Sequence, residues 1–463
     1  MRPTRLIQPI CLALLPVLLS SCAIFAPDER TDLNEGLPGQ FTLYSESGLD
    51  ATNRWWETFG SEELNSLIDE ALTNSPTLQQ SWARLAQANA VAKKAGAAQY
   101  PALGYDASAR ATWVEGGGSP AEAYTFGLPA SYEVDLWGRI KSQAEAAALD
   151  RAASREQLNT SAITLSSRVA TSWMAIIAQR LQLDVIRLQL ESNKTSLDLI
   201  ERRFRKALST SLAVYQQQQT VARTESLVPQ GELTEQLQRN ELAVLLGRAN
   251  LQGLQVQQEM LPQIGELPAI GIPADVLANR PDVRQAGLRL RAADWQVSAA
   301  KADRLPALRL TGSLNYSSSD MADLFDDWAA NLAASLTGPI FDGGRRKAEV
   351  ERTQAVVDER LAAYRETVLN AIKEVEDALV SEKKQREYIE KLERRLAAAR
   401  RSYEESVNRY RNGLVEYTTV LIQLNTLQDI ERERVAAQFT LLRYRIDLYR
   451  ALGGSWPNEL SPN

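Results

Sequence analysis

Residues 100–113 read YPALGYDASARATW, and the alternation inside them decides the fold. Leu103, Tyr105, Ala107, Ala109, Ala111 and Trp113 fall on one side, and Gly104, Asp106, Ser108, Arg110 and Thr112 on the other. A period of two marks a strand, here with a wholly apolar face in a chain otherwise full of Gln, Glu, Arg and Ala. After Glu115-Gly116-Gly117-Gly118-Ser119-Pro120 the pattern resumes, with Tyr124, Phe126, Leu128, Ala130, Tyr132 and Val134 against Thr125, Gly127, Ser131, Glu133 and Asp135. Leu308, Leu310, Leu314 and Tyr316 then oppose Arg309, Thr311, Ser313 and Asn315, and Trp328, Ala330, Leu332, Ala334 and Leu336 oppose Asn331, Ser335 and Thr337. Strands are therefore expected at 103–113, 123–135, 307–317 and 328–340. Each has about the length of a tilted membrane strand, with aromatic residues near its ends. A half-buried soluble sheet would alternate in the same way.

Working outward, the chain is written twice. Asn74-Ser75-Pro76 through Tyr100-Pro101-Ala102-Leu103 matches Asn279-Arg280-Pro281 through Leu305-Pro306-Ala307-Leu308 at an offset of 205. Arg203-Phe204-Arg205-Lys206-Ala207-Leu208 matches Arg409-Tyr410-Arg411-Asn412-Gly413-Leu414 at an offset of 206. Self-similarity at a fixed period signals a tandem structural repeat. Each half plans a helix, two strands, a long helix, a turn and a returning helix. Helices are expected from about Ser61 to Gln99, broken at Asn74-Ser75-Pro76, and from about Arg280 to Arg304; each stops at a proline, Pro101 or Pro306, that cannot continue it. From Arg139 to about Lys206, and from Arg345 to about Arg411, there is no proline and almost no glycine. At 1.5 Å per residue each of these spans about 100 Å. Val357, Leu361, Tyr364, Val368, Ala371, Val375, Ala378, Ile389, Leu392, Leu396, Ala399 and Tyr403 keep coiled-coil spacing, with a polar gap at Glu382 and Gln385.

Composition bounds the function. Of the 463 residues, 44% are hydrophobic and 24% charged, which is a folded chain. The net charge is −6, falling to −8 without Arg2 and Arg5 of the leader, so nucleic acid is not an expected partner. Histidine is absent and the only cysteines are Cys11 and Cys22. That excludes His-based acid/base chemistry, Ser/His triads and Cys/His zinc sites. No nucleophile elbow, phosphate loop or dinucleotide fingerprint occurs. No enzyme activity, cofactor or metal is expected. At the N-terminus Arg2 and Arg5 precede an apolar run, Ile10 to Leu19, too short to span a bilayer, which ends Leu19-Ser20-Ser21-Cys22. This is the pattern of a bacterial lipoprotein leader, with Cys22 the lipidated first residue of the mature chain; an ordinary leader with a chance cysteine is the alternative. By resemblance to bacterial lipoproteins, Ala23 rather than Asp after the cysteine implies export to the outer membrane. The expected division is a leader (1–21), a lipidated extension (22–60), a first repeat (61–259), a proline-rich linker (260–276), a second repeat (277–452) and an irregular tail (453–463).

Four membrane strands cannot close a barrel alone, since bacterial barrels need about eight and an open edge is not tolerated in lipid. Two chains give eight strands and three give twelve, and a lumen wide enough for solutes favours the larger number. The polar faces would line water and the apolar faces meet lipid. Four motifs sharpen this: Arg54-Trp55-Trp56-Glu57-Thr58-Phe59-Gly60 with Leu64-Asn65-Ser66-Leu67-Ile68, Ala278-Asn279-Arg280-Pro281-Asp282-Val283-Arg284-Gln285-Ala286, Pro339-Ile340-Phe341-Asp342-Gly343-Gly344-Arg345, and Tyr410-Arg411-Asn412-Gly413-Leu414. With the lipobox, the tandem halves and the strand pairs, the mature chain resembles the outer-membrane efflux protein family, the TolC-like and OprM-like channels, in its NodT-type lipoprotein branch. The resemblance implies a mainly α fold with a transmembrane β-barrel part: a homotrimer whose twelve-stranded barrel, four strands per chain, continues into a long α-helical barrel in the periplasm of a Gram-negative bacterium. It implies a passive exit duct for drugs or other small molecules, docked to a periplasmic membrane-fusion adaptor and served by an inner-membrane pump, RND-type in this branch. A duct for a type I secretion system and a lipid-anchored coiled-coil scaffold without a pore are the competing readings.

The same resemblance points to the helix turns. The family's tips carry a Gly-hydrophobic signature that meets the adaptor, matched here by Gly413-Leu414 and, imperfectly, by Ala207-Leu208. Gly413 would equally serve as a plain helix C-cap. Arg203, Arg205, Lys206, Arg409 and Arg411 cluster beside the turns, either as favourable C-terminal helix charge or as gate links and adaptor contacts. Relatives often carry aspartates just after the second turn, forming acidic rings. Here Thr418, Thr419 and Ile422 stand nearest, Glu416 is the only carboxylate close by, and Ala213 precedes Val214 where relatives often have Asp. Closure is therefore expected to depend on hydrophobic narrowing or on hydrogen bonds between helices near Tyr410, with Glu416, Thr419 and Ile422 as the remaining gate candidates.

Overall fold

The computed structural model describes residues 25–27, 38, 40–43, 54–250, 253–268, 270–454 and 456–461. The leader, Cys22 and most of the extension lie outside them. The helices are α1 (Glu62–Asn74), α2 (Pro76–Ala97), α3 (Arg139–Arg205), α4 (Ser211–Leu245), α5 (Pro273–Asn279), α6 (Pro281–Ala302), α7 (Arg345–Arg411) and α8 (Tyr417–Leu452). The strands are β1 (Ala102–Leu103), β2 (Asp106–Thr112), β3 (Ala121–Val134), β4 (Ala307–Ser318) and β5 (Trp328–Thr337). Two compact units share this chain. One holds Arg84–Glu156 and Arg284–Thr367, the other Gly36–Ala83, Gln157–Val283 and Val368–Asn463, and α2, α3, α6 and α7 give residues to both.

The first unit contains an antiparallel sheet in the order β1/β2, β3, β4, β5. The opening stretch is not one strand: it breaks at Gly104 and Tyr105 although the register against β3 runs on, from Leu103 opposite Ala130 to Asp106 opposite Gly127. The cause is Pro129, which falls opposite the break and has no N–H to donate; its carbonyl still accepts the Gly104 N–H at 2.9 Å. The two faces follow the alternation. On one, Phe126 pairs with Tyr316 and Phe325 from the β4–β5 loop packs on both, with centroids at 5.8 and 5.3 Å. On the other, Ser108 and Thr125 hydroxyls meet at 2.8 Å, and Glu133 lies opposite Arg309. Glu133 also binds Arg139 at 2.6 Å, and the Asp135 carboxylate accepts the N–H groups of Ile140 and Lys141, capping α3. Neither β2 nor β5 has a partner on its outer edge among the described residues.

In the second unit α1 starts at Ser61, whose hydroxyl accepts the Leu64 N–H, and buries Leu64, Leu67, Ile68 and Ala71, one face at helical spacing. Pro76 opens α2 at the position where a missing N–H costs nothing. The 3-10 turn Trp55–Phe59 buries its rings against Tyr449, stacked on Trp55 at 5.4 Å. The tail, expected to be irregular, is docked by the same chemistry: Trp456 meets Trp56 edge-on at 4.9 Å. From the extension, Phe41 enters a core of Ile270, Val276, Val375, Leu379 and Leu448, and the Thr42 N–H donates to Glu376.

The polar gap in the α7 register is a buried ion pair. Glu382 and Arg445, 1% and 3% exposed, meet through two bonds of 2.7 and 2.8 Å, with Arg386 at 2.9 Å. Arg445 also donates to the carbonyls of Gly265 and Glu266 in the linker. A similar clamp holds the linker upstream. Arg180 and Arg239 share Glu235, Arg180 reaches the Val256 carbonyl, and Glu63 accepts the N–H groups of Gln257 and Gln258. Gln385, the other gap residue, donates to the Ala437 carbonyl at 2.9 Å.

Candidate functional site

Both helix turns lie in the second unit, and they close in the same way. The Leu208 N–H reaches the Arg203 carbonyl at 2.9 Å and the Ala207 N–H reaches Phe204; Leu414 reaches Arg409 at 2.9 Å and Gly413 reaches Tyr410 at 3.0 Å. This six-to-one and five-to-two pairing is the Schellman arrangement, which needs a left-handed residue at the reversal. Gly413 supplies it at φ 72°, and Ala207 adopts it at φ 57°, the only non-glycine residue with positive φ among those described. The imperfect match at Ala207-Leu208 thus makes the same backbone reversal as Gly413-Leu414, at the steric cost of a side chain in the left-handed region. Thr210 then caps α4 by accepting the Ala213 N–H. Leu208 and Leu414 are exposed at the two tips.

The remaining candidates separate into a packed group and a free group. Arg203 lies over the Tyr410 ring at 5.1 Å, the Tyr410 hydroxyl is 3.4 Å from Ser209, and the Tyr410 ring tilts against Tyr417 at 5.2 Å. The two hairpins therefore meet at one guanidinium and two phenols, above a cluster of Ile200, Val214, Val420 and Leu421. By contrast Arg205, Arg411, Glu416, Thr419 and Ile422 are exposed. Arg205 and Arg411 make no ion pair among the described residues, whereas Arg409 binds Glu405 at 2.8 Å. Glu416 precedes α8 and makes no side-chain cap. Thr418 donates to Gln216 at 3.3 Å. From Tyr417 to Gln428 on α8, and from Ser211 to Thr224 on α4, there is no carboxylate.

Beneath the turns runs a buried polar ladder that the sequence reading missed. The Tyr417 hydroxyl donates to Gln217 at 2.7 Å, Gln217 to the Asn193 carbonyl at 2.8 Å, and Asn193 to Thr224 at 2.9 Å. Gln428 donates to Asn193 at 3.0 Å, and Gln189 to the Gln428 carbonyl at 3.0 Å. Asn193 and Gln217 are fully buried. Burial, with Tyr403 and Tyr410 nearby, pushes the Tyr417 hydroxyl far above its ordinary value, so it remains a donor at physiological pH. A signal was present: Gln217 and Thr224 alternate with Val214 and Val221 at 3,4 spacing, which puts amides and hydroxyls in an apolar register. Buried amides at such positions fix helix register. Nothing in this arrangement resembles a catalytic constellation; it holds α3, α4 and α8 together and leaves two apolar tips free.

Comparison with known proteins agrees with the architecture. The family model for outer membrane efflux proteins matches residues 67–248 and 272–454. The chain is similar to the pyoverdine export outer membrane protein OpmQ of Pseudomonas aeruginosa, 32% identical over 96% of this chain and 97% of that one. It is 30% identical to the cation efflux system protein CusC of Escherichia coli O6:H1, over 98% of this chain and 100% of that one. A solved structure of CusC superposes with a TM-score of 0.83 at 28% identity, covering 93% of this chain and 99% of the other. On the strength of two matched segments, near-complete coverage and a shared fold, the chain belongs to the outer membrane efflux protein family.

Proposed function

We propose that the protein is the passive outer-membrane exit duct of a tripartite efflux system, working as a homotrimer. The observation that carries this reading is the sheet of the first unit, whose two edges, β2 and β5, are both unpaired among the described residues. An unpaired edge cannot persist in hydrocarbon, where each free N–H or C=O costs several kcal/mol. Copies of the same sheet joined edge to edge remove every edge, and three copies give twelve strands around a lumen. The polar face of Asp106, Ser108, Thr125, Ser131 and Thr311 would then line water and the face of Leu128, Leu310, Leu332 and Leu336 would meet lipid. Lipidation at Cys22 would tether the chain to the same membrane.

The two halves act, in this reading, as tandem copies. In support, α3 and α7 are each 67 residues long and the reversals at Ala207 and Gly413 share a backbone conformation. The tips Ala207-Leu208 and Gly413-Leu414 would meet a periplasmic adaptor, and an inner-membrane pump, RND-type by the family resemblance, would supply energy and select cargo among drugs and other small molecules. Pyoverdine and cations are named for the relatives OpmQ and CusC. The scarcity of carboxylates beyond Glu416 argues for closure by the Arg203, Tyr410 and Tyr417 contact and the ladder below it, with Ile422 and Thr419 narrowing the entrance.

The decisive experiment is co-purification of the tagged protein with its adaptor and pump. Wild type should retain both, and Leu208→Asp with Leu414→Asp should lose the adaptor while the melting temperature stays the same. Retention of the adaptor by that variant would remove the tips from the docking site. In planar bilayers, strong cation selectivity that disappears in Glu416→Ala would overturn closure without an acidic ring.

A further inference from the structure

The apolar stripe on β5, exposed at Trp328, Leu332 and Leu336, does not stop with the strand. The chain continues Gly338-Pro339-Ile340-Phe341, and Ile340 (105%) and Phe341 (91%) are the two most exposed large apolar side chains among the described residues. Their projection is built into the backbone. A Cβ on Gly338 would lie 2.9 Å from Pro306 Cα, so only glycine lets the chain press against Pro306 before it turns outward. Pro306 is itself fixed, its carbonyl accepting the Trp137 indole N–H at 2.7 Å.

Cations surround this pair. Arg304 sits two residues before Pro306, and Arg345, Arg346 and Lys347 follow Phe341. Arg346 is bound to Asp303 at 2.9 Å, and Lys347 stands 3.7 Å from Glu351. Arg304 and Arg345 are exposed and make no ion pair among the described residues. Helix stability does not account for them: the neighbouring carboxylate, Asp342, accepts the N–H groups of Gly344 and Arg346 as the cap of α7, and cations in the first turn oppose the helix dipole. Two fully exposed apolar side chains beside unpaired cations match the boundary of a bilayer with anionic headgroups, where rings and aliphatic groups enter the acyl edge and guanidinium groups meet phosphodiesters. The depth agrees. The ten residues of β5 extend about 33 Å and, tilted about 40°, rise about 25 Å, the height of the apolar band of an outer-membrane barrel. Residues just beyond Thr337 then fall at headgroup level.

We propose that Ile340 and Phe341, with Arg304 and Arg345, form an interfacial anchor that seats the foot of the strands in the periplasmic leaflet and prefers anionic phospholipid. This rests on the barrel reading of the sheet, and the test separates the two. The full, lipidated chain is reconstituted in phosphatidylglycerol or phosphatidylcholine nanodiscs, with a spin label on Phe341→Cys or, as a control, on Leu332→Cys. The label at 341 should report headgroup depth and the label at 332 the acyl interior. The variant Arg304→Gln, Arg345→Gln should lose preference for phosphatidylglycerol by about fivefold for each cation removed, an effect that shrinks in high salt. A label at 341 exposed to water while that at 332 is in lipid overturns the anchor and leaves the barrel standing. Two water-exposed labels overturn both. An unchanged lipid preference in the double variant overturns the role of the cations.

Discussion

Ala207 and Gly413 occupy the same left-handed position at the ends of the two long helices, at φ 57° and φ 72°. An alanine there carries roughly 1 kcal/mol of steric cost that glycine avoids. Ala207→Gly should therefore raise stability by about that amount, and Gly413→Ala should lower it similarly, both measurable by denaturant unfolding of the purified protein. Equal and opposite shifts would tie the effect to the shared backbone; no change at either site would sink the strain argument. The sequence marked both reversals but could not say that Ala207 turns as Gly413 does, because φ is set by the carbonyl pairing at Arg203 and Arg409, which no residue type announces. Glu235 makes a second residue-scale case. Burial would raise its carboxyl, but hydrogen bonds and charge from Arg180 and Arg239 outweigh burial and hold it below its ordinary value. A lowered carboxylate contributes stability that is present above the ordinary value of 4.5 and lost as pH falls through the folded value. Glu235→Gln should flatten the fall of melting temperature on acidification below about pH 4.5. An unchanged slope would mean that the clamp does not couple to folding.

At the scale of elements, the long helices and the strands were legible because each period, 3,4 spacing or strict alternation, is a direct imprint of one-sided burial. What the periods hid was polar packing. Glu382 and Gln385 looked like a gap in the α7 register, yet Glu382 is 1% exposed and paired with Arg445. A register reports which side faces inward, not whether a partner on α8 is waiting there. The pair makes a sharp prediction. Glu382→Gln leaves a buried guanidinium without its counter-charge and should cost about 3–5 kcal/mol, while Glu382→Met with Arg445→Met should recover most of that loss. Proteolysis near Gly265 and Glu266 should accelerate in the single variant, because Arg445 would no longer be oriented to hold those carbonyls. A single variant as stable as wild type would show the pair to be solvated. The buried amide ladder from Gln189 to Gln217 escaped notice for the same reason: its residues sit in apolar register, and only the third helix completes their hydrogen bonds.

For the whole molecule, the two outer sheet edges decide what one chain can be. The alternation in residues 100–113 separates an apolar face from a polar one but cannot count subunits, since in the barrel reading the hydrogen bonds that close the ring belong to other copies. The lipid-facing assignment is nevertheless open to a direct test with two substitutions on neighbouring strands. Leu332 lies in the middle of β5 on the apolar face, 88% exposed, and Thr311 lies on the polar face of β4, opposite Ala333. In a barrel, Leu332→Arg places a charge at the bilayer midplane and should cost about 2–4 kcal/mol of insertion free energy, whereas Thr311→Arg points into water and should cost little. Urea titration of folding into phospholipid vesicles, followed by heat-resistant oligomer on gels, reads both. A pore-free scaffold would have no reason to distinguish them, because both positions are exposed on the single chain. Equal tolerance of the two arginines would therefore favour the scaffold, and selective loss at Leu332 leaves the barrel as the arrangement in which the two exposed faces meet different solvents.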